Sequence, residues 1–552
     1  MSDHLSQKRF LLWSPGGMPV MLDFEGAVVN ALRNRGAEAH AVICDGVFRA
    51  CIKREVQQNV PIGAWSEVCG SCKAKTSATL DRIGIPYSYI GNYISQSIRD
   101  LLWIQAQNVT WENLENLNYD SINVGKNAKS SIIRFLQGEA FDGDKKIVHE
   151  YAYSALVTAH ASKNAFDKLT PNKIFMSHGV YVDWGPALQW AIQLNIPLTA
   201  WMASYLSCHF YFRHVEDNVR IDFHKLSERA WARTESHSLS DENQKALSEY
   251  LKSRYVKKTS FDLPKISAYR GSKDSYRKMY GLTKDLPIWG IMCHINWDAV
   301  SDYSPMAYDS FDNWLIDTIN EISLNSHVQW VIKIHPAEAV YNPENGLHAV
   351  ILKKFPILPE HVKIIPASVD VLNPLDFFEL IDGAITVYGT SGLELLLHGK
   401  PVILAGEAHY GGKGFTYDGL TIETYRQHLK NVQNIPPLTS NQKLSAKKYA
   451  YGYFIQRQIP FPAIKDQESN WWSYQDRKEK YLKPGNNVFT DFICDRMLDG
   501  EDFIMSDELV KQTKKALNPT IEDKLHWQIR KSKTFIRKIL PKKLVCMIKQ
   551  KI

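Results

Sequence analysis

Two separate series of apolar runs alternating with amphipathic segments constrain the fold of this chain more than any other feature. Residues 9–14 (RFLLWS) are apolar and meet Pro15, Gly16 and Gly17; residues 22–35 then carry Phe24, Val28 and Leu32 at helical spacing, and 39–43 are apolar again. That order of strand, glycine turn, helix and strand opens a doubly wound α/β domain. A second such unit reads as strand 173–176, loop 177–185, helix 186–194 and strand 196–201. The aromatic-rich helical stretch at about 93–168 between them is too long for a crossover and reads as an inserted helical layer.

After a charged helical segment at 227–258 the pattern restarts. Residues 287–293 read as a strand, 309–324 as a helix, and 327–334 as a strand ending in His335-Pro336. Further strands at 362–365, 384–387 and 401–404 alternate with helices at 374–381 and 393–398, and a glycine-rich loop follows at 409–414. Two βαβ series joined near residue 270 predict an α/β chain with two facing Rossmann-like domains and a cleft between them. The chain has 552 residues, too many for one core. The expected division is 1–265, 266–440, a helical extension at 441–523 that packs back on the body, and a tail at 524–552.

Residues 1–10 show no secretory apolar run, and no stretch reaches the roughly 18 apolar residues of a spanning helix. The expectation is a cytoplasmic protein whose eight cysteines are reduced thiols.

Three loops at the carboxyl ends of second-series strands form the strongest candidate site. Thr390, Ser391 and Gly392 stand between a strand and a helix N-terminus, where free N–H groups and hydroxyls suit a phosphate; simple N-capping is the competing reading. Glu394, in the first turn, is within reach of ribose hydroxyls. His335, held extended by Pro336, can donate to a phosphate oxygen or protonate a departing phosphate. Lys413, within Gly411-Gly412-Lys413-Gly414, adds a cation or is a solvated loop lysine. His294, Asn296 and Asp298 follow the first strand of this series and would line the same mouth.

These residues resemble a family. Residues 331–336 (VIKIHP), 384–404 (AITVYGTSGLELLLHGKPVIL) and 410–415 (YGGKGF) are similar to capsule polysaccharide biosynthesis proteins. These are bacterial glycosyltransferases of the GT-B type that include Kdo transferases of capsule export lipids. The His-Pro plus Ser/Thr pair also resembles GT-B sialyltransferases and CDP-glycerol glycerophosphotransferases, in which these groups hold the phosphate of a cytidine nucleotide. The resemblance covers about 285–425 and implies a nucleotide-sugar donor, CMP-linked, with no metal cofactor; acceptor and linkage are not implied.

Glycosyl transfer also needs the leaving nucleotide's charge stabilised, which a helix N-terminus, His335 and Lys413 can do, and a base for the acceptor hydroxyl from the opposite domain. His178 and Asp183 are the first choices for that base; Asp23 and Glu25, after Gly16-Gly17, are the second and would contact acceptor; Trp184 is the candidate acceptor platform. Each carboxylate could instead be a cap or a surface group. Asp142-Gly143-Asp144 matches a metal-binding Asp-x-Asp string, but turn plus N-cap explains it better. Cys44, Cys51, Cys69 and Cys72 could hold a structural zinc, although buried small thiols are the more ordinary account.

The net charge is +7, which raises nucleic acid or anionic membrane as partners. Residues 524–552 carry ten cations and no carboxylate, interleaved at helical spacing with Leu525, Ile529, Phe535, Ile536, Ile539 and Leu540. Subtracting these ten from +7 leaves residues 1–523 at −3, so the basicity belongs to the tail, which reads as a membrane-surface element at the inner face of the cytoplasmic membrane; a helix packed on the body with a solvated basic face is the competing reading. The expected function is a glycosyltransferase of capsule or surface polysaccharide assembly, acting on a lipid-linked or growing glycan. A UDP-sugar epimerase or a CDP-glycerol glycerophosphotransferase-like enzyme of the same architecture and a nucleic-acid-binding protein with a basic arm are the alternatives.

Overall fold

Two parallel sheets organise this computed structural model, which describes residues 8–516 except 16–18, 54–64, 139–140, 142, 216–222, 257–270, 284, 299–304, 340–345, 368–372, 467–471 and 475. One compact unit spans Met1–Met505 and a second Ser506–Ile552. The expected tail at 524–552 lies outside the described residues.

The first sheet holds β1 (Arg9–Trp13), β2 (Glu38–Ile43), β3 (Tyr87–Tyr89), β4 (Lys173–Ser177), β5 (Leu198–Ala203) and β6 (His209–Val215). Its parallel part runs β3-β2-β1-β4-β5, with β6 antiparallel beside β5. Leu12 pairs with Ala41 on one side and Phe175 on the other. The chain re-enters this sheet at Ile459–Pro460, antiparallel to β6. The second sheet holds β7 (Ile288–Met292), β8 (Gln329–Lys333), β9 (Val362–Ile365), β10 (Gly383–Thr386), β11 (Val402–Leu404) and β12 (Tyr417–Asp418). It is wholly parallel, in the order β9-β8-β7-β10-β11-β12, and Ile291 lies between Ile332 and Ile385. Such strands are covered on both faces, which is why they read as near-continuous apolar runs.

In each sheet the strand order reverses once, between β1 and β4 and between β7 and β10. A crevice opens at such a point beyond the carboxyl ends of the strands, and ligands bind there.

Helix α1 (Pro19–Arg33) covers the first sheet and buries Phe24, Val28 and Leu32 completely. Each large apolar side chain so buried contributes about 1.5–3 kcal/mol. The inserted layer contains α2 (Gly125–Leu136) and α3 (Lys145–Leu169), and α3 lies against α2 and α4 (Tyr181–Gln193). Asp144 caps α3 by accepting from Lys146 N at 2.9 Å, after Gly143 at φ +89°; this is the turn and cap expected of that string. Helices α5 (Asp241–Val256), α6 (Thr390–Leu397) and α7 (Ser440–Tyr451) lie nearer the cleft. In the second unit, Ser506 Oγ accepts from Leu509 N at 3.3 Å at the start of α8 (Asp507–Ala516). Among the described residues no helix is long and apolar enough to cross a membrane.

Candidate active site

A cleft of about 640 Å³ lies between the two halves, and both contribute to its wall. The second half supplies the carboxyl ends of β7, β8 and β10 with Gly389, Thr390, Ser391, His335 and His409; the first supplies Arg134, Tyr205, His224 and Arg254. A hollow of about 730 Å³ opens at the opposite, amino ends of the first-sheet strands, around Arg9, Arg33 and His40. Its place is the wrong end of a parallel sheet for catalysis, and the cleft is the candidate site.

Gly389 is the N-cap of α6 and gives its first turn no side-chain cap. The free N–H groups and positive dipole end of that turn therefore stand at the cleft wall. Gly392 is required by a close approach: a Cβ there would stand 2.0 Å from Tyr410 Oη. That hydroxyl donates to Gly389 O at 2.7 Å and clamps the loop. His294 holds the same loop. Its ring stacks on Phe311 with centroids 4.7 Å apart, and Nε2 accepts from Val387 N at 3.2 Å and Tyr388 N at 3.1 Å. Burial pushes its pKa down to about 3, in keeping with an acceptor that stays unprotonated. His335 follows β8, and Nδ1 accepts from Ala337 N at 3.1 Å, fixing the ring at the cleft wall.

Contacts from the first half complete this end. Tyr205 Oη lies 2.8 Å from Thr390 Oγ1 and 3.3 Å from Tyr453 Oη, which in turn lies 2.7 Å from His224 Nδ1. Arg254 Nε pairs with Glu394 Oε1 at 2.8 Å, with the side chains only 6% and 3% exposed. Glu394 thus reaches the cleft wall already engaged by an arginine, and not as an uncommitted ribose ligand. Asp298 pairs with Arg134 and accepts from Tyr181 Oη at 2.6 Å.

The structure brings His294, His335, Thr390, Ser391, Glu394 and Asp298 to one cleft, with Gly392 behind them, and leaves the other expected residues elsewhere. Asn296 is buried and donates to Asp312 at 2.9 Å. Lys413 does not line the cleft: between Gly412 at φ +69° and Gly414 at φ +80° the chain turns, and Nζ lies over the Trp231 and Tyr449 rings at 5.1 and 5.7 Å. Asp183 and Trp184 are each 1% exposed. The reason is that α4 starts at Tyr181 and runs through Pro186, so these residues lie inside a packed helix where a loop was expected. Asp183 Oδ2 accepts from Ile52 N at 2.9 Å, burial lifts its pKa to about 7, and Trp184 offers no stacking face. His178 packs edge-on against Trp184 and takes Val180 N on Nδ1; burial and then Arg134 push its pKa down to about 4. Asp23 pairs with Arg82 at 2.7 Å. Glu25 is wholly buried and accepts from Trp201 Nε1 at 2.9 Å, while burial raises its pKa to about 7. Gly16 and Gly17 lie outside the described residues.

For Cys44, Cys51, Cys69 and Cys72 the geometry fits the thiol account: among the described residues no three His, Cys, Asp or Glu side chains are placed to hold a metal. Cys44 Sγ accepts from Gly46 N at 3.2 Å, and burial pushes the thiol up to about 12, so it stays protonated.

Sequence reasoning missed Arg134, Tyr205, His224, Arg254 and His409. The first four come from segments that carry no motif. His409 opens the loop already singled out, where attention fell on Lys413.

No curated protein matches the chain in sequence. Among solved structures, the KpsC β-Kdo 2,4-transferase of Thermosulfurimonas dismutans is 16% identical with a TM-score of 0.32, covering 59% of this chain and 87% of that one. The β-Kdo 2,7-transferase of the same organism gives 16% and 0.32, covering 52% and 79%. The UDP-GlcNAc 2-epimerase of Neisseria meningitidis gives 10% and 0.27, covering 81% and 97%. The model of the capsule polysaccharide biosynthesis protein family matches residues 305–445. Over that stretch, which holds His335, the Thr390 helix and Glu394, the chain is similar to the capsule polysaccharide biosynthesis protein family.

Proposed function

We propose that this chain is a glycosyltransferase of capsule or surface polysaccharide assembly that moves a sugar, Kdo-like, from a CMP-linked donor to a lipid-linked or growing glycan. The observation that carries this reading is the convergence of the uncapped α6 N-terminus, Ser391 and His335 on one cleft whose far wall is a second α/β sheet. Such a cradle stabilises charge as it develops on the departing nucleotide phosphate, and preoriented donors need no reorganisation to do so. His335 is placed to protonate or hydrogen-bond that phosphate. The opposite wall is where an acceptor hydroxyl would approach. The family match supports the capsule context. The basic residues 524–552 would hold the enzyme peripherally on the inner face of the cytoplasmic membrane, within reach of a lipid-linked acceptor.

A thermal-shift panel of CMP, CDP, UDP and GDP on the wild type and His335→Ala tests the reading. Cytidine nucleotides should stabilise the wild type and lose most of that effect in the variant. Stabilisation by UDP alone removes the cytidine assignment, and no stabilisation by any nucleotide removes the donor site.

A further inference from the structure

His409 is a polar side chain that the donor cradle described above does not use. It begins the loop after β11, the strand beside β10, is only 4% exposed, and lines the cleft. Its tautomer is fixed by one neighbour. Tyr449 Oη donates its single proton to His409 O at 2.5 Å, yet the same oxygen lies 3.1 Å from His409 Nδ1. With its proton already committed, that oxygen can only accept, so the hydrogen of the neutral ring sits on Nδ1. Nε2 is left as a bare lone pair, buried and without a hydrogen-bond partner among the described residues. A buried acceptor left unmet costs stability, and such a group in a cleft wall points to a ligand donor. Burial, followed by His224, Arg457 and Lys413, holds the ring's pKa well below its usual value, so it remains an acceptor at neutral pH.

The surroundings narrow the ligand. Tyr410, the next residue, donates to Gly389 O beneath the phosphate cradle. The His409 ring lies 4.3 Å from that of Tyr453, and Tyr453 Oη reaches Thr390 Oγ1 through Tyr205 Oη. His409 is thus one strand along from the cradle, in the same half of the chain, among aromatic rings and hydroxyls. The phosphate of a CMP-linked sugar carries the cytidine on one side and the sugar on the other, and His409 stands on the side that Tyr205 and His224 of the first half also line, where the sugar has to meet its acceptor. We infer that His409 Nε2 accepts a hydrogen bond from a hydroxyl of the donor sugar and so makes the site prefer the sugar nucleotide over the free nucleotide. The inference rests on the nucleotide-sugar reading above.

Two substitutions separate ligand recognition from support of the loop. His409→Asn can keep a donor toward Tyr449 but offers nothing at the Nε2 position; His409→Gln can place an acceptor near Nε2. Affinities for CMP and CMP-Kdo should be measured calorimetrically on the full chain, and the gain from CMP to CMP-Kdo compared. That gain should fall about three- to tenfold in His409→Asn and be largely kept in His409→Gln, as expected for one neutral hydrogen bond. In the ¹⁵N-histidine spectrum, CMP-Kdo and not CMP should shift an Nε2 resonance that is absent from His409→Asn. An equal gain in wild type and His409→Asn, no gain in the wild type, or rescue by Asn and not by Gln overturns the inference while leaving the donor reading standing. Failure of CMP and CMP-Kdo alike to bind the wild type removes both.

Discussion

Gly392→Ala tests whether the donor loop is built as described. The added Cβ would stand 2.0 Å from Tyr410 Oη, 3.0 Å from Tyr410 Cζ and 3.2 Å from Thr386 Cγ2. Tyr410 is fully buried, so it cannot swing into solvent; it must be pushed off Gly389 O. Overpacking a rigid core costs about 1–3 kcal/mol, and losing the Tyr410 hydrogen bond about 0.5–1.5 more while Gly389 O keeps its bond from Gly392 N at 2.9 Å, for an expected loss of about 1.5–4.5 kcal/mol. Tyr410→Phe alone removes the same hydrogen bond and should cost about 1–2 kcal/mol. In the double variant the hydroxyl that caused the collision is gone, although the ring carbon at 3.0 Å keeps some strain. The double variant should therefore be less destabilised than the sum of the singles by about 1–2 kcal/mol. Urea denaturation followed by tryptophan fluorescence reads all four corners of the cycle. Strict additivity, or a neutral Gly392→Ala, would refute the clamp between Tyr410 and Gly389.

Other expectations concern groups away from this loop. The Glu25 carboxyl titrates near 7 in the folded protein against an ordinary 4.5. The folded state therefore binds this proton more tightly, and the associated stability is full below about pH 4.5 and lost as pH rises through 7. Glu25→Gln should gain in melting temperature relative to wild type between pH 5 and pH 8, and parallel curves would contradict the raised value. Arg254→Met leaves Glu394 buried without its partner and should cost about 3–5 kcal/mol, most of it recovered by adding Glu394→Gln; a loss below about 1 kcal/mol in the single variant would count against the pair. Deleting residues 524–552 should abolish sedimentation with anionic liposomes, and undiminished binding would move the anchor elsewhere.

Both sheets were legible in the sequence because fully covered parallel strands leave long apolar runs, as in residues 288–292 (IWGIM). The phosphate-facing loops were legible because strand ends, a glycine and a helix start are local signals. What failed was long-range or depended on helix phase. Pro186 looked like a helix start, which made 177–185 a cleft loop and promoted Asp183 and Trp184. The helix instead begins at Tyr181, with φ +67°, following Gly179 at φ +73°, and Val182 N is taken by Ser131 Oγ at 3.1 Å from the inserted layer. Nothing in the sequence announces that last contact. Arg254 and Glu394 are 140 positions apart and meet only because α5 and α6 both pack on α7. His409 was passed over because a lysine on a glycine loop looks more like a phosphate ligand than a histidine preceding it.

Among the described residues two ion pairs join the halves across the cleft, and they are not equivalent. The side chains of Arg254 and Glu394 are 6% and 3% exposed, whereas those of Arg134 and Asp298 are 28% and 41% exposed. A pair open to water contributes about 0–1 kcal/mol, while breaking a buried one by removing a partner costs several times that. Removing a partner from the Arg254–Glu394 pair should therefore cost more than removing one from the Arg134–Asp298 pair. The same pairing decides the electrostatics of the site. Asp298 and Glu394 are the acidic residues of the cleft lining, and each already faces an arginine from the first half. Among the described residues of the lining an arriving phosphate therefore meets no carboxylate without an arginine beside it, and Lys333, His335 and the N–H groups of α6 stand in the same lining. Residues 1–523 sum to a charge of −3, so attraction of an anion to this cleft comes from local features: the Lys333 cation, the orientation of local dipoles and the neutralisation of two acids.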